Sequence, residues 1–332
     1  MQNSQPPMKW LVLAAALAFS LQATTTLAAP HPLSWITLGT GGGPLIRQQR
    51  SEPANALVIN DAVYLFDCGS GTERQLVRAG LSLHQVKAIF VSHHHIDHDA
   101  DLGQLITSRW MFNSYQPLPI IGPAGTVSMV THLAEANAAV ELAPIGASGP
   151  QSKPAIRSTV APVDLAMTMD VPTEIYKDDN IRVLAITNSH YHFPANSNEA
   201  RQARSYAYRI ETAQRSFVFT GDTGPSAHVT ALAKGADVLI SEVIDLDKMK
   251  AILQHAADLP AAMLPNMLAH MQEDHLTPTA IGEMAAKAGV KEVVLTHLAP
   301  GMDGDTDLSG YSKGIAPTYQ GKVRVAEDLQ RF

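Results

Sequence analysis

Ten consecutive residues, Ser92 to Asp101, read SHHHIDHDAD and hold four histidines and three aspartates. No other stretch restricts the fold as much. Desolvated carboxylates and imidazoles lose hydration that only a partner can replace, so the run is costly to bury unless it binds something cationic. It follows the apolar run AIFV and so begins where a buried strand leaves its sheet. Alternate side chains of extended chain share a face, which puts His93 and His95 together and turns His94 away. The residues beyond bend and offer Asp97 and His98 to a second position nearby. The spacing H-x-H-x-D-H therefore suits two adjacent metal ions. Imidazole and carboxylate without cysteine favour Zn2+, with Mn2+ or iron as alternatives.

Similar residue types recur at other strand ends. WITL, ALVI, VYLFD, AIFVS and PIIG read as strands, alternating with the helical patterns TERQLVRAG, ADLGQLITSRWMFN and TVSMVTHLAEANAAVEL. A second half repeats the theme with IRVLAIT, SYAYRIE, SFVFTGD, DVLISEV and EVVLTH as strands, and PSAHVTALAKG and TPTAIGEMAAKAG as helices. NSHYHF offers His190 and His192, FVFTGDTG offers Asp222, and VVLTH offers His297. Singly, Asp222 reads as a turn-former and His297 as a satisfied histidine beside a core strand. Ligand types at four separate strand ends point instead to one site, since chemistry collects at strand ends in α/β sheets.

Asp67 in LFDCGSGT, His93, His95, Asp97 and His98 in SHHHIDH, His190 in TNSHY, Asp222 in FTGDTG and His297 in LTH together resemble the motif series of the metallo-β-lactamase superfamily. The resemblance runs from about Trp35 to the carboxyl end, where GKVRVAEDL is similar to the family's closing strand. LFDCGSGT, Asp222 and EDHLTP before LTH are similar to the ribonuclease Z and arylsulfatase-like branch. The resemblance implies an α/β fold, a four-layer αββα sandwich of two mixed β-sheets flanked by helices. It places one metal on His93, His95 and His190 and the other on Asp97, His98 and His297, with Asp222 bridging. Asp67 would accept a hydrogen bond from a ligand histidine and fix its ring. His192 is the alternative to His190 as ligand.

Two such ions bring a bridging water toward hydroxide near neutral pH and clamp the oxygens of a displacement. Two dications, Asp97, Asp222 and one hydroxide leave a local charge of about +1, which favours an anionic ester, a phosphodiester or sulfate ester. Beside the ligand Asp97, the catalytic candidates are Glu242 in DVLISEV and His275 in EDHLTP. Glu242 would orient His275, which would donate a proton to the leaving group. The bland alternative is that His275 caps the helix starting near Thr277. Arg201 and Arg204 are either anion contacts or surface arginines. Met263, Met267 and Met271, spaced at four, predict a helix packing its Met side into the fold or walling the pocket. A lactonase or other ring-opening hydrolase is the runner-up enzyme; a di-iron redox protein and a non-catalytic metal-binding protein are the readings from other classes.

The amino terminus has Lys9, an apolar run from Trp10 to about Leu21, and small residues at Ala28 and Ala29. This reads as a secretory signal peptide over residues 1–28, cleaved to leave no membrane anchor. The run is about a dozen residues, against roughly 20 for a spanning helix. Residues 30–332 then form one hydrolase domain, periplasmic or secreted, with an insertion or linker at about 144–180 rich in Pro, Ser and Gly. The formal net charge of −7, the leader and the sparse Lys and Arg of that insertion argue against nucleic acid and for a small-molecule ester as partner. Cys68, the single cysteine, reads as a buried small residue. The oligomeric state stays open, a homodimer being compatible with the sequence.

Overall fold

Successive apolar runs pair into two mixed sheets in the computed structural model, which describes residues 31–143, 153–255 and 260–332. Residues 1–28, read as a signal peptide, lie outside the described residues, as do 144–152 of the 144–180 stretch. One sheet contains β1 (His31–Gly39), β2 (Ala54–Asn60), β3 (Ala62–Cys68), β4 (Val86–Phe90), β5 (Leu118–Gly122) and β6 (Val160–Asp164). The other contains β7 (Thr173–Lys177), β8 (Ile181–Thr187), β9 (Tyr206–Thr212), β10 (Ser216–Phe219), β11 (Val238–Ile244), β12 (Glu292–Ala299) and β13 (Lys322–Val325). β14 (Gln330–Arg331) returns to pair with β1 in the first sheet. β3 to β6 run parallel, as do β10 to β13, and antiparallel hairpins complete each sheet.

The helices among the described residues are α1 (Thr72–Arg78), α2 (Ile96–Asp99), α3 (Leu102–Met111), α4 (Thr126–Ala136), α5 (Ala138–Glu141), α6 (Asn198–Gln202), α7 (Ala227–Leu232), α8 (Leu246–Gln254), α9 (Leu264–Asp274) and α10 (Pro278–Ala288). The two-residue period of a strand sorts its side chains between layers. On β3, Tyr64 and Phe66 face the opposite sheet and pack with Trp35 and Phe90 of their own sheet against Tyr208 and Phe217 of the other. Val63 and Leu65 face outward, against Leu76 of α1, Leu105 and Trp110 of α3 and Val130 of α4. On the far side α7 and α10 cover the second sheet through Val229, Leu232, Ile281 and Met284. Three apolar layers thus separate helix, sheet, sheet and helix, the αββα sandwich expected. Strands buried on both faces read as continuous apolar runs, which is why they stood out in the sequence.

The described part of the 144–180 stretch supplies β6 and β7, one edge strand to each sheet, and carries the chain from the first sheet to the second. TVSMVTHLAEANAAVEL divides at Asn137 into α4 and α5. α10 has an evident start and stop: the Thr277 hydroxyl accepts from Ala280 N, Pro278 occupies the first turn, and Gly289 closes the helix at φ 66°. α9 takes the second of the two placements expected of it, walling a pocket. Asp274 is its buried residue, Met263 is exposed, and Met271 turns toward a cavity beside the histidines rather than into the core.

Candidate metal centre

Both sheets deliver their chemistry at one end. Asp67 lies near the end of β3, His93 and His95 follow β4, Asp97 and His98 sit on α2, His190 follows β8, Asp222 follows β10, and Glu242 and His297 lie within β11 and β12. The last two are aimed by an irregularity. Ser241 pairs with Leu295 but Val243 with Leu298, so β12 carries an extra residue opposite Glu242, and such a bulge redirects side chains next to it. His297 has φ 42° and Asp67 φ 58°. Left-handed backbone at non-glycine residues is costly and clusters at functional sites.

Asp67 is fully buried and organises the first loop. Its Oδ1 accepts from Ser92 N at 2.6 Å and its Oδ2 from Ser92 Oγ at 2.8 Å and from His98 Nδ1 at 2.7 Å. Its Ser92 contacts place Ser92 Oγ 3.0 Å from His93 Nδ1. His190 Nδ1 donates to the Asp274 carbonyl at 3.0 Å. With those nitrogens engaged, His93 Nε2, His98 Nε2 and His190 Nε2 are left to face inward. Gly43 allows a close backbone approach, its N–H reaching Asp97 Oδ2 at 3.1 Å where a Cβ would collide with the carboxylate. Asn188 holds the His190 and Asp222 loops together, donating to the Thr220 and Asp222 carbonyls and accepting from His190 N.

Two ligand sets result. His95 Nδ1 stands 3.0 Å from His93 Nε2 and 3.3 Å from His190 Nε2. One proton on His95 cannot serve both lone pairs, whereas neighbouring nitrogens around a tetrahedral ion with bonds of about 2.0–2.1 Å stand roughly 3.3 Å apart. Beside them, Asp97 Oδ2 is 3.4 Å from His98 Nε2 and 3.6 Å from His297 Nε2. Asp222 Oδ2 lies between the sets, 3.1 Å from His297 Nε2, 3.4 Å from His98 Nε2 and 3.9 Å from His93 Nε2. His98 Nε2, His297 Nε2 and Asp222 Oδ1 are buried without hydrogen-bond partners. Buried polar atoms are rarely left so, and the donor set of imidazoles and carboxylates fits divalent cations.

Burial and charge divide the histidines. Burial lowers His93 well below the usual range and takes His190 down to about 3, keeping both neutral with lone pairs free. Burial alone would do the same to His98, but the carboxylates of Asp222, Asp97 and Asp67 raise it. Asp97 and Asp222 are held well below the carboxylate range: burial opposes this, and the neighbouring His98 and His297 overcome it.

Glu242 is buried beside the ligands, its Oε1 accepting from Thr223 N at 2.5 Å and its Oε2 meeting His275 Nδ1 at 2.6 Å. Burial raises Glu242, and the Glu242 charge raises His275 against the effect of burial. His275 does not cap α10, a task Thr277 performs. It lines a cavity of ≈ 460 Å³ together with His190, Asp222 and His297. The alternative ligand His192 is held elsewhere, its Nδ1 on Asp274 Oδ1 at 2.6 Å. His94 turns away to Asp99 and Thr126. Arg201 and Arg204 bond backbone carbonyls and do not line this cavity. Sequence reasoning missed Asn188, Asp274 and the stacked Tyr191–Phe193 pair, whose rings are 4.9 Å apart at the cavity wall. The H-Y-H-F string was the available signal.

A family model described as a beta-lactamase superfamily domain matches residues 63–298. Ribonuclease Z of Mycobacterium sp. (strain KMS) is 28% identical over 302 residues, covering 89% of this chain and 94% of that enzyme. Among solved structures, the metallo-beta-lactamase fold protein YhfI from Bacillus subtilis superposes with a TM-score of 0.60 at 19% identity, covering 91% of this chain and 99% of that one. Human tRNase Z, short form, does so with a TM-score of 0.58 at 21% identity, covering 90% and 98%. These likenesses overturn one expectation. A small-molecule ester partner, with nucleic acid argued against, does not stand beside relatives named for RNA. The net charge of −7 misled because it sums the whole surface, whereas a phosphate meets the local field of the site.

Proposed function

Since the chain belongs to the β-lactamase superfamily and is a metal-dependent hydrolase of phosphodiester-type ester bonds, similar to ribonuclease Z, we propose that it is an exported RNA phosphodiesterase working with two zinc ions. The observation that carries the reading is the convergence of two ligand sets on Asp222 Oδ2, with buried nitrogens that lack any other partner. His93, His95 and His190 would hold one ion and Asp97, His98 and His297 the other, with Asp222 shared. Bound there, the ions supply a water nucleophile at neutral pH and balance charge on the phosphoryl oxygens. Asp67 keeps His98 in the tautomer that presents Nε2. Glu242 positions His275 through Nδ1, leaving Nε2 to give a proton to the departing ribose oxygen. The leader-like amino terminus supports a periplasmic or secreted place of action.

The test is metal analysis with a substrate panel on metal-replete protein: short RNA, a chromogenic aryl phosphodiester, an aryl sulfate and a lactone. Close to two ions per chain and RNA cleavage are expected. Turnover of the sulfate or the lactone alone would overturn the RNA reading.

A further inference from the structure

We propose that the ring of Phe193 is a nucleobase subsite of the metal centre, on which the base of a nucleotide next to the scissile phosphate stacks; this rests on the proposed RNA substrate. A row of rings leads out from the candidate ligands to that place. His190 stands 4.8 Å from Tyr191, centroid to centroid, and Tyr191 stands 4.9 Å from Phe193 with 24° between the planes. His93 and His95 also close in on Tyr191, at 6.0 and 5.5 Å. Phe193 ends the row: among the described residues it pairs with no ring but Tyr191, and it is 37% exposed. Single exposed apolar side chains are ordinary on a protein surface. This one lines the cavity shared by His275 and the ligands, where an open aromatic face meets whatever is bound.

The rest of the cavity suits a base better than a second charged group. Its volume, ≈ 460 Å³, falls within the roughly 300–1,000 Å³ of small-ligand sites. Met249 and Met271 line it with Phe193, and thioethers adapt to flat rings and contact them favourably. No Lys or Arg lines it among the described residues, which leaves the phosphate to the metal centre and the wall to an uncharged group. Every base has a π face, so stacking holds a base without reading its sequence. Tyr191 and Phe193 also line a second cavity of ≈ 490 Å³, which gives a strand stacked at Phe193 room to continue beyond one nucleotide.

The experiment gives the metal-replete protein short RNAs that carry either a base or an abasic ribose at the nucleotides flanking the cleavage point. Wild type is expected to cut the intact RNA with a kcat/KM about 5- to 100-fold above the abasic one, the scale of one base on an aromatic side chain. Phe193→Ala should bring that ratio to within about twofold, Phe193→Leu, which keeps apolar volume without a ring, should do nearly the same, and Phe193→Trp should keep it. Loss of packing alone would slow both RNAs together and leave the ratio at its wild-type value. An unchanged ratio in Phe193→Ala, or a wild type indifferent to the base, overturns the inference. A wild type that cleaves no oligonucleotide while turning over an aryl phosphodiester fails the RNA reading instead. A Phe193→Ala loss confined to the aryl over an alkyl ester would then make the stacked group a leaving group rather than a base.

Discussion

Asp67 shows how much one buried carboxylate can fix: it accepts from Ser92 twice and from His98 once, at a backbone angle that few residues tolerate. Asp67→Ala should therefore weaken metal binding by about 10–100-fold, measured by chelator competition, with the ligands themselves intact. His275 is the sharper test of chemistry. His275→Ala should lower turnover of a phosphodiester by about 10²–10⁴-fold while metal content by mass spectrometry stays at the wild-type level. Activity and metal disappearing together would make His275 a ligand instead. At this scale the sequence was readable where spacing is short and local, as in His93 to His98. Asn188 and Asp274 were not, because each acts through a backbone carbonyl or an oxygen that only the folded chain brings near His190.

Strands announced themselves because burial on both faces leaves an unbroken apolar run, as in VLISEVI of β11. β6 and β7 did not, since edge strands are half exposed and mix Pro, Asp and Glu with their apolar residues. The bulge opposite Glu242 was equally hidden, because a register slip has no residue code of its own. Where elements join, charge can be tested by pH. Asp237, at the start of β11, accepts from Lys291 Nζ at 2.6 Å and from Ser216 N at 2.7 Å, and Lys291 first among its partners lowers it to about 2. A carboxylate depressed below its unfolded value of roughly 3.9 adds stability that is present above that value and lost as pH falls through the folded one. Asp237→Asn should lower the urea midpoint of metal-free protein at neutral pH, and the gap should close between about pH 4 and pH 2. A gap that persists in acid would assign the effect to hydrogen bonding rather than charge.

Across the molecule, the metal centre joins parts that the apolar layers only bring near. Ligand binding to the native state alone raises stability by mass action. Chelator treatment should thus lower Tm, and zinc should restore it with saturation near two equivalents per chain; a Tm indifferent to both would separate the clustered histidines from metal. Alternating strand and helix patterns made two α/β halves legible, the four-layer packing was implied by the family resemblance, and the partner was not legible, because total charge carries no address.

The candidate ligands are divided between the two sheets, and His297 arrives only on β12, the last of them in chain order. A nascent or half-threaded polypeptide therefore lacks a complete coordination sphere. With the ions held as proposed, metallation would belong to the final closure of the sandwich, and the ion captured would be selected by the supply in whichever compartment that closure happens.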